Sequence, residues 1–365
     1  MINIHAKENI MSCIHKMEEK SELYEIYFVV NVAEKTEFID YTNSEQSILT
    51  EYLTEEEYDA MITALKKCKF NVRLFNSEKY FIQFILQNED SIDFEHIIVF
   101  NLARNGKGLN KKALIPSFCQ LYNIKHTGSG AYNVCLGRHK FHTNCILHSK
   151  GLPVPQTWYY TDNGWLLNQI PPQNKKLIIK PSFESASRGI TEDSIISYCE
   201  ESQNQIQKLQ YQYEQNIIVQ EFICGYEVQV PIIKFDGQIL PLMAVGINMN
   251  DDPLLSNQII TYDIAFDETY NFYDFAEVDS SLANKVMKAA TEACSVLNLE
   301  HYCRFDFRID LNGNFYITDI STHPFLIKHS AFAFAFSASD LEYKDIFLTL
   351  IELITEEGKK YENFN

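Results

Sequence analysis

The 365-residue sequence has no C-x-x-C pair, no Pro/Gly/Ser-rich tract or low-complexity tail, no excess of positive charge, and no apolar run near the roughly 18 residues that a bilayer crossing needs. Each absence removes a class of protein. Nine cysteines, an odd number scattered singly, read as reduced thiols acting as small buried hydrophobes in a reducing compartment. No basic segment followed by an apolar one opens the chain, so the expected location is the cytoplasm. A formal charge of -18 repels a nucleic-acid backbone or an anionic membrane at long range, and an anionic ligand has to be gathered by local positive charge. Without a flexible linker, a chain of this length divides into two or three contiguous domains sharing a cleft.

What is present first alternates strand and helix signals. Tyr24 to Val32 is an apolar run, Thr54 and Glu57 are spaced as a capping box for a helix reaching Lys67, and apolar runs follow at Val72 to Phe75 and Ile97 to Leu102. That alternation predicts a small doubly wound α/β domain. A helical stretch from about Gly137 to Lys150 follows, stopped by Gly151 and the Pro153/Pro155 pair. After Ile217 the pattern is mostly strand, with an Asp236-Gly237 turn between Val228 to Phe235 and Ile239 to Val245, and one helix near Asp279 to Leu299. The alternation Ala331 to Phe336 reads as buried packing, and Gly106-Lys107-Gly108 as a loop that lacks the full phosphate-loop pattern.

The most informative segment runs from Cys303 to Ser321. Asn312-Gly313 predicts a two-residue hairpin turn with positive φ at both positions, so residues whose numbers sum to about 625 lie opposite one another. Asp306 then faces Asp319 and Arg304 faces Ser321 on one polar face, while Phe305, Phe307 and Ile309 point to the core. Opposed carboxylates repel unless something neutralises them. Two readings stay open: a magnesium ion with Arg304 steadying a phosphoryl group, or a ladder of salt bridges to Arg304 and Arg308.

Two further segments are ambiguous alone. Lys180-Pro181-Ser182-Phe183-Glu184-Ser185-Ala186-Ser187-Arg188-Gly189 follows an apolar strand, with small residues that let backbone N–H groups approach phosphate. Ile217 to Ile223 leads through Cys224-Gly225 into Tyr226-Glu227-Val228. In this order, and with Tyr122 to Gly130, Arg138-His139-Lys140, Gly151 to Pro155 and Thr322 to Ser330, the segments resemble the D-alanine-D-alanine ligase branch of the ATP-grasp superfamily. The likeness covers about two-thirds of the chain; the first ~95 residues share only α/β character.

The resemblance implies an α/β ATP-grasp fold in three parts: an N-terminal α/β domain over 1–127, a central lid domain over 128–219 and a C-terminal catalytic domain over 220–365, with ATP between the last two. Lys140 and Lys180 match phosphate-contacting lysines, and Glu184, Ser185, Ala186 and Ser187 the loop that covers the phosphates. Gln220, Glu221, Phe222 and Ile223 fall on the hinge that holds adenine, and Glu227 on the acid that takes the ribose hydroxyls. Asp306, Asp319 and Ser321 match the magnesium ligands, Ser321 standing where the family usually has Asn. Arg304 matches the arginine that steadies the transferred phosphoryl, and Ser330 the serine that binds the carboxylate of the amine donor. The implied reaction forms an acyl phosphate with ATP and Mg2+, then an amide by attack of an amine on a small amino-acid or carboxylate substrate. A homodimer is also implied, although no segment marks an interface.

Three departures bear on function. Asp263 falls where the family carries a phosphate-binding lysine, Ala186 and Ile264 replace a hydroxyl and a tyrosine that lock the loop, and the glutamate-bearing N-terminal signature is not recognisable. The last two predict substrates other than D-alanine, while Asp263, with Ser321, favours the alternative. The alternative is a nucleotide-binding relative that has lost catalysis and serves a regulatory or scaffold role.

Overall fold

A computed structural model of the chain describes residues 2–33, 35, 51–105 and 108–362; Gly106 and Lys107 of the loop set aside above lie outside them. The first sheet is parallel, in the order β2-β1-β3-β4, with β1 Glu25–Val30, β2 Asn71–Phe75, β3 Ile97–Leu102 and β4 Lys125–His126. Its inner strands β1 and β3 are apolar on both faces, as a sheet covered on both sides requires. Ile26, Phe28, Ile98 and Phe100 pack toward helices Ile4–Lys20, Glu55–Lys67 and Tyr343–Glu362, while Tyr27, Val29, Ile97 and Val99 pack toward Glu78–Asn88 and Leu114–Leu121. The predicted capping box is formed: Thr54 Oγ1 accepts from Glu57 N at 3.2 Å and Glu57 accepts from Thr54 N at 2.7 Å.

The second sheet is antiparallel, in the order β6-β5-β9-β7-β8, formed by β5 Thr157–Thr161, β6 Gly164–Trp165, β7 Lys176–Pro181, β8 Ile195–Ser197 and β9 Ile217–Glu221. The third is also antiparallel, with β10 Gly225–Phe235 at its centre, β12 Val245–Asn248 and β13 Asn271–Asp274 on one side, and β14 Tyr302–Asp310 and β15 Phe315–Ser321 on the other; β11 Gln238–Pro241 pairs with the far half of β10. Helix Ala276–Val296 covers the third sheet with Leu282, Val286, Ala290, Ala293 and Leu297, the stripe expected from sequence. Asp279 Oδ1 accepts from Leu282 N at 2.9 Å, so the regular helix starts where the sequence placed it.

Several expectations need correction. The helical stretch around Gly137 breaks at His139 (ψ 82°) into Ala131–Arg138 and Lys140–Ser149. Ile239 to Val245 is two strands rather than one, because β11 and β12 pair with different halves of β10. Ala331–Ser337 is a helix, as is Tyr343–Glu362; the Ala-Phe alternation mimics a strand, but Ser330 caps the turn and Phe332, Ala335 and Phe336 are buried. Cys145 is exposed and Cys135, Cys199 and Cys224 are half-buried, so only five of the nine cysteines are core residues. Among the described residues no helix is long and apolar enough to cross a membrane.

The hairpin departs from prediction twice, and the two departures cancel. Its loop has three residues, with Asp310 N bonded to Asn314 O and only Gly313 at positive φ (80°), which lowers the pairing sum to 624 at Ile309 and Phe315. A bulge at Thr318 then inserts one residue, restoring 625 at Asp306 and Asp319 and at Arg304 and Ser321. Thr318 Oγ1 donates to the Asp306 carbonyl at 3.1 Å, closing the bulge.

Candidate active site

A cleft of about 490 Å³ opens between the second and third sheets, within the range of roughly 300–1,000 Å³ usual for small-molecule sites. One end is apolar: Ile178, Phe222 and Ile259 pack together with Ile190 against them. The chain enters the third sheet through Gly225, whose φ of 151° and contact with the Ile309 carbonyl leave no room for a Cβ. Phe222 carries the Lys176 ammonium 5.0 Å and the Arg308 guanidinium 5.3 Å from its ring centre. Arg308 is buried and fully engaged, with Nε on Ile223 O (3.0 Å), Nη1 on Glu227 and Gln258 O (3.0 and 3.1 Å), and Nη2 on Ser256 O (2.9 Å). It fixes the hinge and orients Glu227, an acid that sequence matching brought to the cleft wall. Gln220 is buried, with Nε2 donating to Thr157 Oγ1 at 3.2 Å; Glu221 pairs with Lys175 at 3.0 Å.

The other end is charged. Arg304 grips Asp306 in two bonds (2.7 and 2.8 Å), and Lys140 Nζ grips Asp319 in two more (2.9 and 2.8 Å). The opposed carboxylates are thus neutralised by cations from the strand and from the helix that starts after the His139 break. Burial works against the Asp319 charge, but Lys140 and Lys180 outweigh it and hold the carboxyl below its usual range. Burial lowers the Lys180 ammonium to about 8, with Asp319 opposing the shift and Lys140 adding to it. Ser321 lies opposite Arg304 on the same face.

The loop after Lys180 carries strain. Ala186 and Ser187 are both left-handed (φ 52° and 57°), an arrangement that costs about 1–3 kcal/mol per residue and recurs where backbone amides are aimed at a ligand. The loop is held from both ends: Glu184 bonds Arg188 and Gln215, and Ser185 Oγ accepts from Lys112 Nζ at 2.8 Å. Ser330 reaches the cleft, but its hydroxyl is committed to its own helix cap, donating to Ile327 O (2.6 Å) and accepting from Ala333 N (3.2 Å).

Asp263 is exposed and absent from the cleft wall, where the same helix presents Ala265 and Phe266 instead. The cation on this side is Arg188, bonded to Glu184 and Glu51, which sequence matching left unassigned. A second missed residue is Gln229. It pairs with Asp306 across β10 and β14, is 8% exposed, and its Oε1 has no hydrogen-bond partner among the described residues. Asp306, Asp319 and this orphaned carbonyl oxygen line the cleft together and offer hard-oxygen donors that suit a magnesium ion, whereas Ser321 lines a smaller cavity beside it.

Comparison with known proteins agrees with this geometry. The family model for the C-terminal part of D-ala D-ala ligase matches residues 146–352. The D-alanine–D-alanine ligase of Pseudomonas fluorescens (strain Pf0-1) is 24% identical over 280 residues, covering 76% of this chain and 80% of that protein. That of Mannheimia succiniciproducens is 22% identical over 300 residues, covering 81% and 91%. Among solved structures, the Bacillus anthracis D-alanine–D-alanine ligase complexed with ATP superposes with a TM-score of 0.66 at 16% identity, over 93% of this chain and 99% of that one. The Coxiella burnetii enzyme gives 0.64 at 13% identity, over 93% and 98%. With more than half of its length matched by the family model and its whole architecture shared, this chain belongs to the D-alanine–D-alanine ligase family of ATP-grasp enzymes, which are ATP-dependent carbon–nitrogen ligases.

Proposed function

We propose that this enzyme activates a small carboxylic acid other than D-alanine as its acyl phosphate and transfers the acyl group to an amine. A carboxylate oxygen of the acid takes the γ-phosphoryl of ATP, releasing ADP; an amine nitrogen then attacks the acyl carbon, phosphate leaves, and the amine gives up a proton. Such chemistry needs positioning and charge neutralisation rather than a protein nucleophile. The observation that carries the reading is the convergence of Lys140, Lys180, Arg304, Asp306 and Asp319 on one end of a cleft whose other end is walled by Ile178, Phe222 and Ile259.

Adenine suits the Ile178, Phe222 and Ile259 wall, with Gln220 Oε1 as acceptor for its amino group and Glu227 placed for the ribose hydroxyls. Lys140 and Lys180 would contact phosphate oxygens beneath the loop from Glu184 to Ser187. Asp306, Asp319 and Ser321, with Gln229 beside them, would hold magnesium, which when bound neutralises phosphate charge. Arg304 then exchanges Asp306 for the transferring group. Exclusion of D-alanine rests on Ala186 and Ile264, which replace the loop-locking hydroxyl and tyrosine, and on the missing N-terminal glutamate signature. We keep the domain divisions expected from sequence as part of this reading: 127 falls between the first sheet and the second, 219 falls inside β9 of the second sheet, and helix Tyr343–Glu362 of the last division packs on the first sheet.

The test incubates the protein with ATP, magnesium and pooled small acids and L- and D-amino acids, and follows ADP and phosphate together with amide products by mass spectrometry. Equimolar ADP and amide are expected. ATP bound tightly with no phosphate released from any pool would overturn the catalytic reading.

A further inference from the structure

A smaller cavity of about 90 Å³ adjoins the phosphate end of the cleft, sharing Arg304, Asp306 and Asp319 with it. Its far wall is built by Arg104, Lys112 and Arg138, all at least nine-tenths buried (4, 6 and 7% exposed). The acids that line it are already committed. Asp306 is paired with Arg304, Asp319 with Lys140 and Glu184 with Arg188. The neighbouring buried Glu51 serves Lys111 at 2.7 Å, Arg188 at 3.3 Å and Lys112 at 3.7 Å.

Arg104 and Arg138 therefore form no ion pair among the described residues. Arg104 donates Nη2 to the His323 carbonyl (2.9 Å) and lies 4.0 Å from the centre of the Phe325 ring. Arg138 donates Nη2 to the Phe183 and Gly108 carbonyls, while its buried Nε and Nη1 have no partner among the described residues. Burial depresses the pKa of the Lys112 ammonium, with Arg104 adding to the shift and Glu51 opposing it. Buried guanidinium N–H groups without acceptors are unfavourable unless an anion completes them. Their planar fork matches an oxyanion.

We infer that this annex binds a second oxyanion of the acid substrate, so that the enzyme selects dianionic acids, one carboxylate at Arg304 for activation and a distal anionic group at Arg104 and Arg138. The inference rests on the ligase reading for what happens to the first carboxylate, but the annex itself binds charge whether or not turnover follows. A purely structural role for the two arginines, pinning the loop at Phe183, predicts no discrimination between acids.

Glutarate, pentanoate and 4-phosphonobutyrate, three acids of similar reach, separate these outcomes when titrated calorimetrically into the ADP-loaded protein. Both dianions are expected to bind at least tenfold more tightly than pentanoate, and their ratio tells which oxyanion the annex prefers. Arg138→Gln and Arg104→Gln should each erase most of that preference while changing the ATP Kd less than threefold, with thermal melts showing that both variants fold. In turnover with pooled amines the loss should fall on KM for the dianionic acid rather than on kcat. Equal binding of pentanoate and glutarate, or a preference that survives both substitutions, overturns the inference. Arg138-dependent glutarate binding with no turnover on any acid would instead sink the ligase reading and leave the annex assigned.

Discussion

The two charged regions of the cleft are built on opposite plans. At the phosphate end each acid has a cation at hydrogen-bond distance: Arg304 holds Asp306 and Lys140 holds Asp319. In the annex, Arg104 and Arg138 are more deeply buried and, among the described residues, have backbone carbonyls and, for Arg104, the Phe325 ring as partners but no carboxylate within ion-pair distance. Paired charges can exchange partners at little net cost, because each side chain leaves one counter-ion for another. Unpaired ones gain a partner outright. The first plan suits chemistry, in which charge has to move; the second suits recognition, in which a ligand has to be told apart.

The comparison breaks most sharply at Asp306. Asp306→Asn is expected to lower kcat/KM about 10^3–10^4-fold, roughly 4–5.5 kcal/mol of transition-state stabilisation, because it removes a carboxylate from the cation-binding face. It also leaves half-buried Arg304 without its two-bond partner, so urea melts should show a stability loss of about 1–3 kcal/mol despite the relief of repulsion across the hairpin. Unchanged turnover in that variant would defeat the assignment of the hairpin acids to magnesium.

Glu51→Gln tests the other plan. Its side chain is fully buried and answers Lys111, Lys112 and Arg188, which hold its carboxyl well below the usual range against the pull of burial. Removing that charge should destabilise the fold by about 3–5 kcal/mol, seen as a lowered Tm, with the acid preference of surviving protein retained. A smaller effect belongs to Lys180. Its pKa falls from the ordinary 10.5 to about 8 on folding, so between these values the unfolded chain binds a proton that the folded one has lost. Stability of the ligand-free protein from this group therefore rises with pH through that window, by at most about 3 kcal/mol. Lys180→Met should flatten the rise and weaken ATP binding; a melt series from pH 7 to 10 with an unaltered slope would contradict the lowered pKa.

How much of this was legible beforehand differs by region for physical reasons. The α/β alternation of the first third and the capping box at Thr54 were readable because period and cap chemistry are local. The face-to-face placement of Asp306 and Asp319 was read correctly through two cancelling errors, since neither the αL residue confined to Gly313 nor the bulge at Thr318 has a sequence mark as strong as Asn-Gly itself. Ala331 to Phe336 was read rightly as buried packing, but neither its helix nor Tyr343–Glu362 was singled out within a stretch read as mostly strand. Gln229 and Arg188 could not be singled out, because what distinguishes them is an unmet acceptor and a contact with Glu51 far away in the chain. Arg104, Lys111, Lys112 and Arg138 did leave a faint trace: a cluster of cations within an acidic chain.

The pairs Arg304 to Asp306 and Lys140 to Asp319 also bear on the order in which ligands arrive. Both acids are already occupied, so a bare cation would have to evict two tethered positive groups and leave them stranded in a partly buried place. A triphosphate gives Arg304 and Lys140 somewhere to go. On the proposed binding mode, these pairs would guard the acids against stray ions until a nucleotide arrives.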